Sequence, residues 1–166
     1  MKAELFDRVL AARGLTDRLK LRLITNGSLL DRPAVQTGIA QRGQAGGEVW
    51  FKLDAATPAG LAKINGTRTS PAAIARRLTR CAALAPTWVQ SCFFLFDGQP
   101  PMAAELTAYL ALLAPLARQL AGVHLYSLAR PSLQLEAPRL RRMTADELQD
   151  IARRIEHIGL RVCINP

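Results

Sequence analysis

Glu48-Val49-Trp50-Phe51-Lys52-Leu53-Asp54 alternates residue by residue. In an extended chain Val49, Phe51 and Leu53 share one side, while Trp50, Lys52 and Asp54 share the other. A strand carries this pattern when one face packs on a core and the opposite face meets something polar. Gly46-Gly47 punctuate its start, and Thr57-Pro58 beyond its end reads as an N-cap followed by proline at the first helical position. The unit is strand, then helix.

The same unit recurs on both sides. Upstream, Lys20-Leu-Arg-Leu-Ile-Thr25 is an extended run stopped by Asn26-Gly27, and Asp31 with Pro33 opens a helix to about Gln41. Further upstream, residues 2–13 are spaced for a short amphipathic helix with Gly14 as its C-cap. Downstream, Ser70-Pro71 starts a longer helix ending near Leu84, and Trp88–Phe96 forms a third strand closed by Asp97-Gly98. A helix from about Met102 to Leu120 follows, with Pro115 predicting a kink. The fourth strand, Val123–Leu128, runs into Ala129-Arg130-Pro131 and a Pro-containing loop. Thr144-x-x-Glu147 is a capping box for the last helix, which ends at Gly159, and Leu160–Ile164 is the fifth strand. Strands alternating with helices at intervals of roughly thirty residues imply right-handed βαβ units and a parallel sheet.

The two phases of the strands differ in kind. One is almost wholly apolar: Leu21, Leu23; Val49, Phe51, Leu53; Val89, Phe93, Leu95; Val123, Leu125; Leu160, Val162, Ile164. The other carries polar groups in every strand: Arg22 and Asn26; Lys52 and Asp54; Gln90 and Cys92; His124 and Tyr126; Arg161, Cys163 and Asn165. A doubly wound sheet is covered on both faces and should be apolar on both. One apolar and one ionisable face instead imply an α/β fold built as a parallel-sheet partial (β/α) barrel, about five strands with helices on the outer face and a polar lumen inside. An open sheet with one solvated face is the alternative. Polar residues also gather at the strand C-terminal ends, where such folds bind ligands.

Several residues on that face are candidates. Lys52 and Asp54, two apart on one strand, point the same way and either share a ligand or form a mutual ion pair. His124 and Tyr126 share a face and supply a base and a donor, or else His124 is a satisfied core histidine. Arg130, directly after a strand end, suits an anion, although surface exposure is equally ordinary for Arg. Asn26 is either a lumen residue or a turn residue taking positive φ before Gly27. His157 sits at a helix C-terminus, where the dipole favours a cation. The sequence has no nucleophile elbow, Walker loop or G-x-G-x-x-G fingerprint.

Composition sets the outer bounds. With 166 residues, 49% hydrophobic and 21% charged, the chain is a single domain able to bury a core. No apolar run is long enough to span a bilayer, and the acids in MKAELFDRVL disfavour a signal peptide, so a cytoplasmic location is expected. The net charge of +9 suits a nucleic-acid partner, yet Arg is scattered except at Arg76-Arg77-Arg80 and Arg139-Arg141-Arg142, and a solvated surface accounts for most of it. Cys81, Cys92 and Cys163 show no metal-binding spacing and read as free thiols.

In order, Leu21-Arg-Leu-Ile-Thr-Asn-Gly27 with Ser28-Leu-Leu30, Val49-Trp-Phe-Lys-Leu-Asp-Ala55, and Val123-His-Leu-Tyr-Ser-Leu-Ala-Arg130 resemble the third, fourth and sixth strands of radical S-adenosylmethionine enzymes. The resemblance covers nearly the whole chain and implies the C-terminal portion, about half, of that family's partial barrel. It implies S-adenosylmethionine as cofactor, with Asn26, Lys52, Asp54, Gln90 and Tyr126 toward the cofactor and His124 and Arg130 toward the substrate. The family's CxxxCxxC loop, which holds a [4Fe-4S] cluster, is not in this sequence, nor is its glycine-rich GGE-type motif. Without three cysteinyl thiolates the chain alone is not expected to perform radical chemistry. The expected partner is the missing N-terminal half-barrel, or a second copy paired along an exposed sheet edge. A cluster-free half-barrel binding a small polar or nucleotide-like ligand, and an RNA-interacting module, are the alternatives.

Overall fold

A computed structural model of the chain describes residues 8–9, 11–14 and 19–165, so most of the helix expected over residues 2–13 lies outside the described residues. The described elements are β1 (Arg22–Thr25), α1 (Pro33–Gln44), β2 (Glu48–Lys52), α2 (Pro58–Asn65), α3 (Pro71–Leu84), β3 (Thr87–Cys92), β4 (Phe94–Phe96), α4 (Ala103–Leu113), β5 (Gly122–Tyr126), β6 (Leu140–Arg142), α5 (Ala145–His157) and β7 (Val162–Asn165). The strands β1, β2, β3, β5 and β7 form one sheet in that order, with every neighbouring pair parallel.

This order explains the two-faced sequence pattern. Each right-handed crossover advances one place in the same direction, which lays successive helices on the same face of the sheet. On that face Val49, Phe51, Val89 and Val123 have no exposed surface. They pack with Leu61 of α2, Leu78 of α3, Leu113 of α4 and Ile155 of α5 in one core. The polar members of that face are satisfied internally. The Ser91 hydroxyl donates to the Leu53 carbonyl at 2.7 Å, so the buried Tyr109 hydroxyl, 2.7 Å from Ser91 Oγ, is the donor in their bond. On the opposite face Trp50, Lys52, Gln90, Cys92, His124 and Tyr126 are only half-buried. Among the described residues β1 and β7 each pair along one side only, so the barrel is not closed. The lumen expected from the sequence is an open face, and Leu23, placed by its phase under the helices, is 39% exposed because β1 is an edge.

Local signals hold at three helix starts. Thr57 Oγ1 accepts from the Gly60 N–H at 2.9 Å, Ser70 Oγ accepts from Ala73, and Thr144 with Glu147 closes both halves of the capping box. Three readings need correction. Asp31 does not cap α1, whose N-cap is Arg32; its carboxylate instead pairs with Arg80 at 2.8 Å and Arg77 at 3.5 Å on α3. The helix expected to run to Leu120 stops at Leu113 and passes into a single 3₁₀ turn over Ala114–Leu116, because Pro115 has no N–H for an α-helical bond. The third strand breaks at Phe93. Its N–H still donates to the Tyr126 carbonyl, but β4 leaves the main sheet and pairs antiparallel with β6, a segment that the sequence suggests is loop.

Candidate functional site

The strand register sorts the open face into rows. Arg22 and Glu48 pair at the N-terminal ends, and Ile24, Trp50, Trp88 and Gly122 are cross-strand partners in the row above. Lys52, Gln90, His124 and Cys163 form the next, and Cys92, Tyr126 and Asn165 the one nearest the C-terminal ends. The chemistry is graded along the strands in the same direction.

The lower level is an aromatic floor. The His124 ring lies 4.4 Å from that of Trp88, stacked, and 4.3 Å from that of Trp50. Arg161 covers Trp88 at 4.4 Å and Arg22 approaches Trp50 at 5.3 Å, both in cation–π geometry. Burial pushes the His124 pKa down, and the charges of Arg22 and Arg161 push it the same way against the opposing pull of Glu48. The ring is therefore neutral at pH 7, and its Nδ1 is buried without a hydrogen-bond partner among the described residues.

Glu48 anchors the floor at the β1 side. It accepts from Arg22 Nε at 2.7 Å and Trp50 Nε1 at 3.0 Å, and pairs with Lys20 at 2.6 Å. Burial alone would raise its pKa, but hydrogen bonds from Lys20, Arg22 and Trp50 outweigh burial and hold it at about 2. The folded value lies below the ordinary 4.5, so Glu48 contributes stability above about pH 4.5 that is lost as pH falls toward 2. Glu48→Gln is expected to flatten that acid limb and to cost about 1 kcal/mol at pH 7, its cationic partners being half exposed. Urea melts across the pH range read this out; an unchanged acid limb would remove the assignment.

The upper level is polar and hydrogen-bonded. Lys52 Nζ lies 3.0 Å from the Tyr126 hydroxyl and 3.4 Å from the Asp54 carboxylate. Asp54 Oδ1 accepts from the Cys92 backbone N–H at 3.0 Å, and Oδ2 accepts from Asn65 Nδ2 at 3.2 Å. Burial would lower the Lys52 pKa, but the Asp54 charge and the Tyr126 hydroxyl overcome it and raise the value. Burial, reinforced by Asp54, pushes the Cys92 thiol to about 11, so it is protonated at neutral pH. The group thus offers a fixed ammonium, a carboxylate held by three donors, a phenol and a neutral thiol on an uncovered face.

The structure brings together Lys52, Asp54 and Tyr126, with Gln90 beside Lys52 in register. His124 shares the row of Lys52 and Gln90, but its ring packs on Trp50 and Trp88 of the aromatic floor. Arg130 is exposed in the loop after β5 and takes no part in this network among the described residues. Asn26 is a turn residue: its Oδ1 accepts from the Ser28 N–H at 3.0 Å. The positive φ expected at Asn26 belongs to Gly27, at 71°, and Asp97 is the one non-glycine described residue with such a φ.

The sequence matches no protein-family model and no curated protein. Among solved structures, a domain of pyruvate-formate lyase-activating enzyme from Bacteroides vulgatus ATCC 8482 is similar to 99% of this chain over 92% of its own length, with a TM-score of 0.66 and 15% identity. A radical SAM methyltransferase from Sphaerobacter thermophilus is similar to 87% of this chain over 39% of its own length, with a TM-score of 0.53 and 14% identity. The chain shares their fold. At these identities the likeness is one of architecture, and the chain spans about two-fifths of the methyltransferase.

The cysteines do not suit an iron–sulfur cluster. Cys81 is buried on α3 beside Thr87, Cys92 lies on the open face, and Cys163 is exposed on β7. Among the described residues no three His, Cys, Asp or Glu side chains converge as metal ligands. No described helix is long and apolar enough to cross a membrane.

Two features escape sequence reasoning. Glu105, in the first turn of α4, accepts from the Ala56 and Thr57 N–H groups and the Thr57 hydroxyl, clamping the loop after β2. Asn65 closes on Asp54 from the end of α2. Both depend on contacts across helices, which carry no local sequence signal.

Proposed function

We propose that this chain is the C-terminal part of a radical S-adenosylmethionine family protein, its open polar face forming part of the wall of the S-adenosylmethionine and substrate pocket. The observation that carries the reading is the Lys52–Tyr126–Asp54 group. It lies toward the C-terminal ends of β2 and β5, the parallel strands on either side of β3, on the uncovered face of a fold shared with a radical SAM methyltransferase. Ligands of such folds bind at that end. The donor set suits the cofactor: the Lys52 ammonium and Tyr126 hydroxyl are half exposed and can meet a carboxylate or ribose hydroxyls. Asp54 acts as a positioning residue, holding Lys52 and the β3 backbone. Gln90 flanks Lys52, and Arg130 stands beyond the strand end for the substrate. When bound and reduced by its cluster, S-adenosylmethionine supplies radical chemistry; in this reading the cluster ligands come from outside this sequence.

The same reading assigns the β1 edge. Ile24 is 55% exposed and Leu23 39%, and an unpaired parallel edge of this kind is a template for another strand. The preceding half-barrel, or failing it a second copy of the chain, would pair there.

Calorimetric titration of the chain with S-adenosylmethionine tests the reading. Lys52→Ala is expected to weaken binding about tenfold, the loss of one charge-assisted contact. Equal affinity in wild type and variant would sink the assignment of this face.

A further inference from the structure

A concave site adjoins the Lys52 group and extends away from it. It is a cleft of about 670 Å³ between α2 and the first turn of α4, beyond the C-terminal ends of β2 and β3. Lys52, Gln90 and Tyr126 do not line it, whereas Asp54 and Cys92 stand at its inner edge, so the cleft borders the open face and a ligand there is told apart from S-adenosylmethionine by its dependence on Lys63. Its walls are largely apolar: Ile64 from α2, Phe93, Phe94 and Phe96 where the chain leaves the main sheet, and Pro100 and Met102 from the loop before α4. Met102 is 77% exposed at the rim, and the Phe94 and Phe96 rings are only half covered. Large apolar side chains collected around an open cleft of this volume are the usual lining of a small-molecule site.

The charges around the cleft are unequal in how they are neutralised. Asp54 is held by Lys52, Asn65 and the Cys92 N–H. Both oxygens of Glu105 are taken by Ala56 and Thr57. Both oxygens of Asp97 are taken by the Arg139 guanidinium, at 2.9 and 2.5 Å. Lys63 is different. It lines the cleft next to Ile64 and is exposed to solvent; its Nζ sits 3.7 Å above the Phe96 ring, its charge reaches Asp97 only at longer range, and it has no ion pair among the described residues. The cleft therefore presents an apolar body with one cation outside any ion pair.

We propose that this cleft binds a small amphipathic anion, with its aromatic or aliphatic body between the phenylalanines and Ile64 and its carboxylate on Lys63. A cationic ligand would meet Lys63 with like charge, and a neutral one would gain nothing from it.

Three isosteric probes separate these cases by calorimetry on the intact chain: 2-naphthoate, 2-naphthalenemethanol and 2-naphthylmethylammonium. Naphthoate should bind about fivefold more tightly than the alcohol, the scale of one part-exposed ion pair. Lys63→Gln should abolish that advantage while leaving affinity for the alcohol unchanged. Ala59→Phe, which fills the cleft from an exposed position on α2, should weaken both probes with helix content unchanged by circular dichroism. Equal affinity for naphthoate and alcohol in the wild type, preference for the ammonium, no binding at millimolar probe, or full binding by a folded Ala59→Phe variant would each overturn the proposal.

Discussion

Gly122→Ala is expected to lower the stability of the chain by about 3 kcal/mol. Gly122 begins β5 with φ at 144°, where a side chain is strained whatever room it has. There is also no room. A Cβ would sit 2.6 Å from Cζ3 of Trp88, 2.7 Å from Cγ of Arg161 and 2.8 Å from the Arg161 carbonyl oxygen. Trp88 cannot give way cheaply, because its ring is stacked on His124 and covered by Arg161, whose Nε in turn donates to the Ala121 carbonyl at 2.6 Å. The missing side chain at Gly122 is what lets the aromatic floor close. Gly46→Ala isolates the backbone contribution: φ is 76° there, but nothing lies within 4 Å of the added Cβ, so the cost should be about 1 kcal/mol. Urea denaturation of the two variants compares strain alone with strain plus clash. Equal losses would mean that the floor adapts, and that the Trp88 contact is not a constraint.

Asp54→Ala should cost about 2 kcal/mol and, by loosening Lys52, also weaken S-adenosylmethionine binding by up to about tenfold. The Asp54 side chain is 8% exposed and receives the Cys92 N–H, the Asn65 amide and the Lys52 ammonium. Its removal strands the Cys92 N–H without an acceptor and leaves Lys52 held by Tyr126 alone. Lys52 remains 35% exposed, so water recovers part of its loss, which keeps the cost below that of a fully buried broken pair. The charge component has a definite sign in pH. The Lys52 pKa is raised above its ordinary 10.5 in the folded chain, so its contribution is whole below that value and fades only as pH rises beyond it. Asp54→Asn, which keeps an acceptor for Cys92 but not the charge, should recover about half the stability at pH 7. If Asp54→Asn were as unstable as Asp54→Ala, the Cys92 hydrogen bond would not be what Asp54 contributes.

The parts of this structure that are legible in the sequence are those written in local periodicity. Alternation through Val49–Asp54 separates core from open face correctly, and Thr57, Ser70 and Thr144 mark the helix starts where they occur. The spacing of Lys52 and Asp54 allows either a shared ligand or a mutual pair, and the ion pair forms. What stays hidden is set at a distance. The run Cys92-Phe-Phe-Leu-Phe96 has no punctuation, so its break is invisible until Leu140–Arg142 arrives to pair with β4 and Arg139 clamps Asp97. That break creates the cleft beside α2. Asn26 is ambiguous in the sequence because its turn bond to Ser28 and a lumen role both need the same polar side chain. Barrel closure is not legible either, since alternation fixes which face is polar but not whether anything faces it.

In the proposed function the open face, rather than the helical side, receives the cofactor. Amide chemical-shift mapping of the chain titrated with S-adenosylmethionine tests this most directly. The expected result is a set of perturbations centred on Lys52, Asp54, Gln90, Cys92 and Tyr126, with α1 and α3 unmoved. Perturbations confined to the helices, or none at millimolar S-adenosylmethionine, would contradict it.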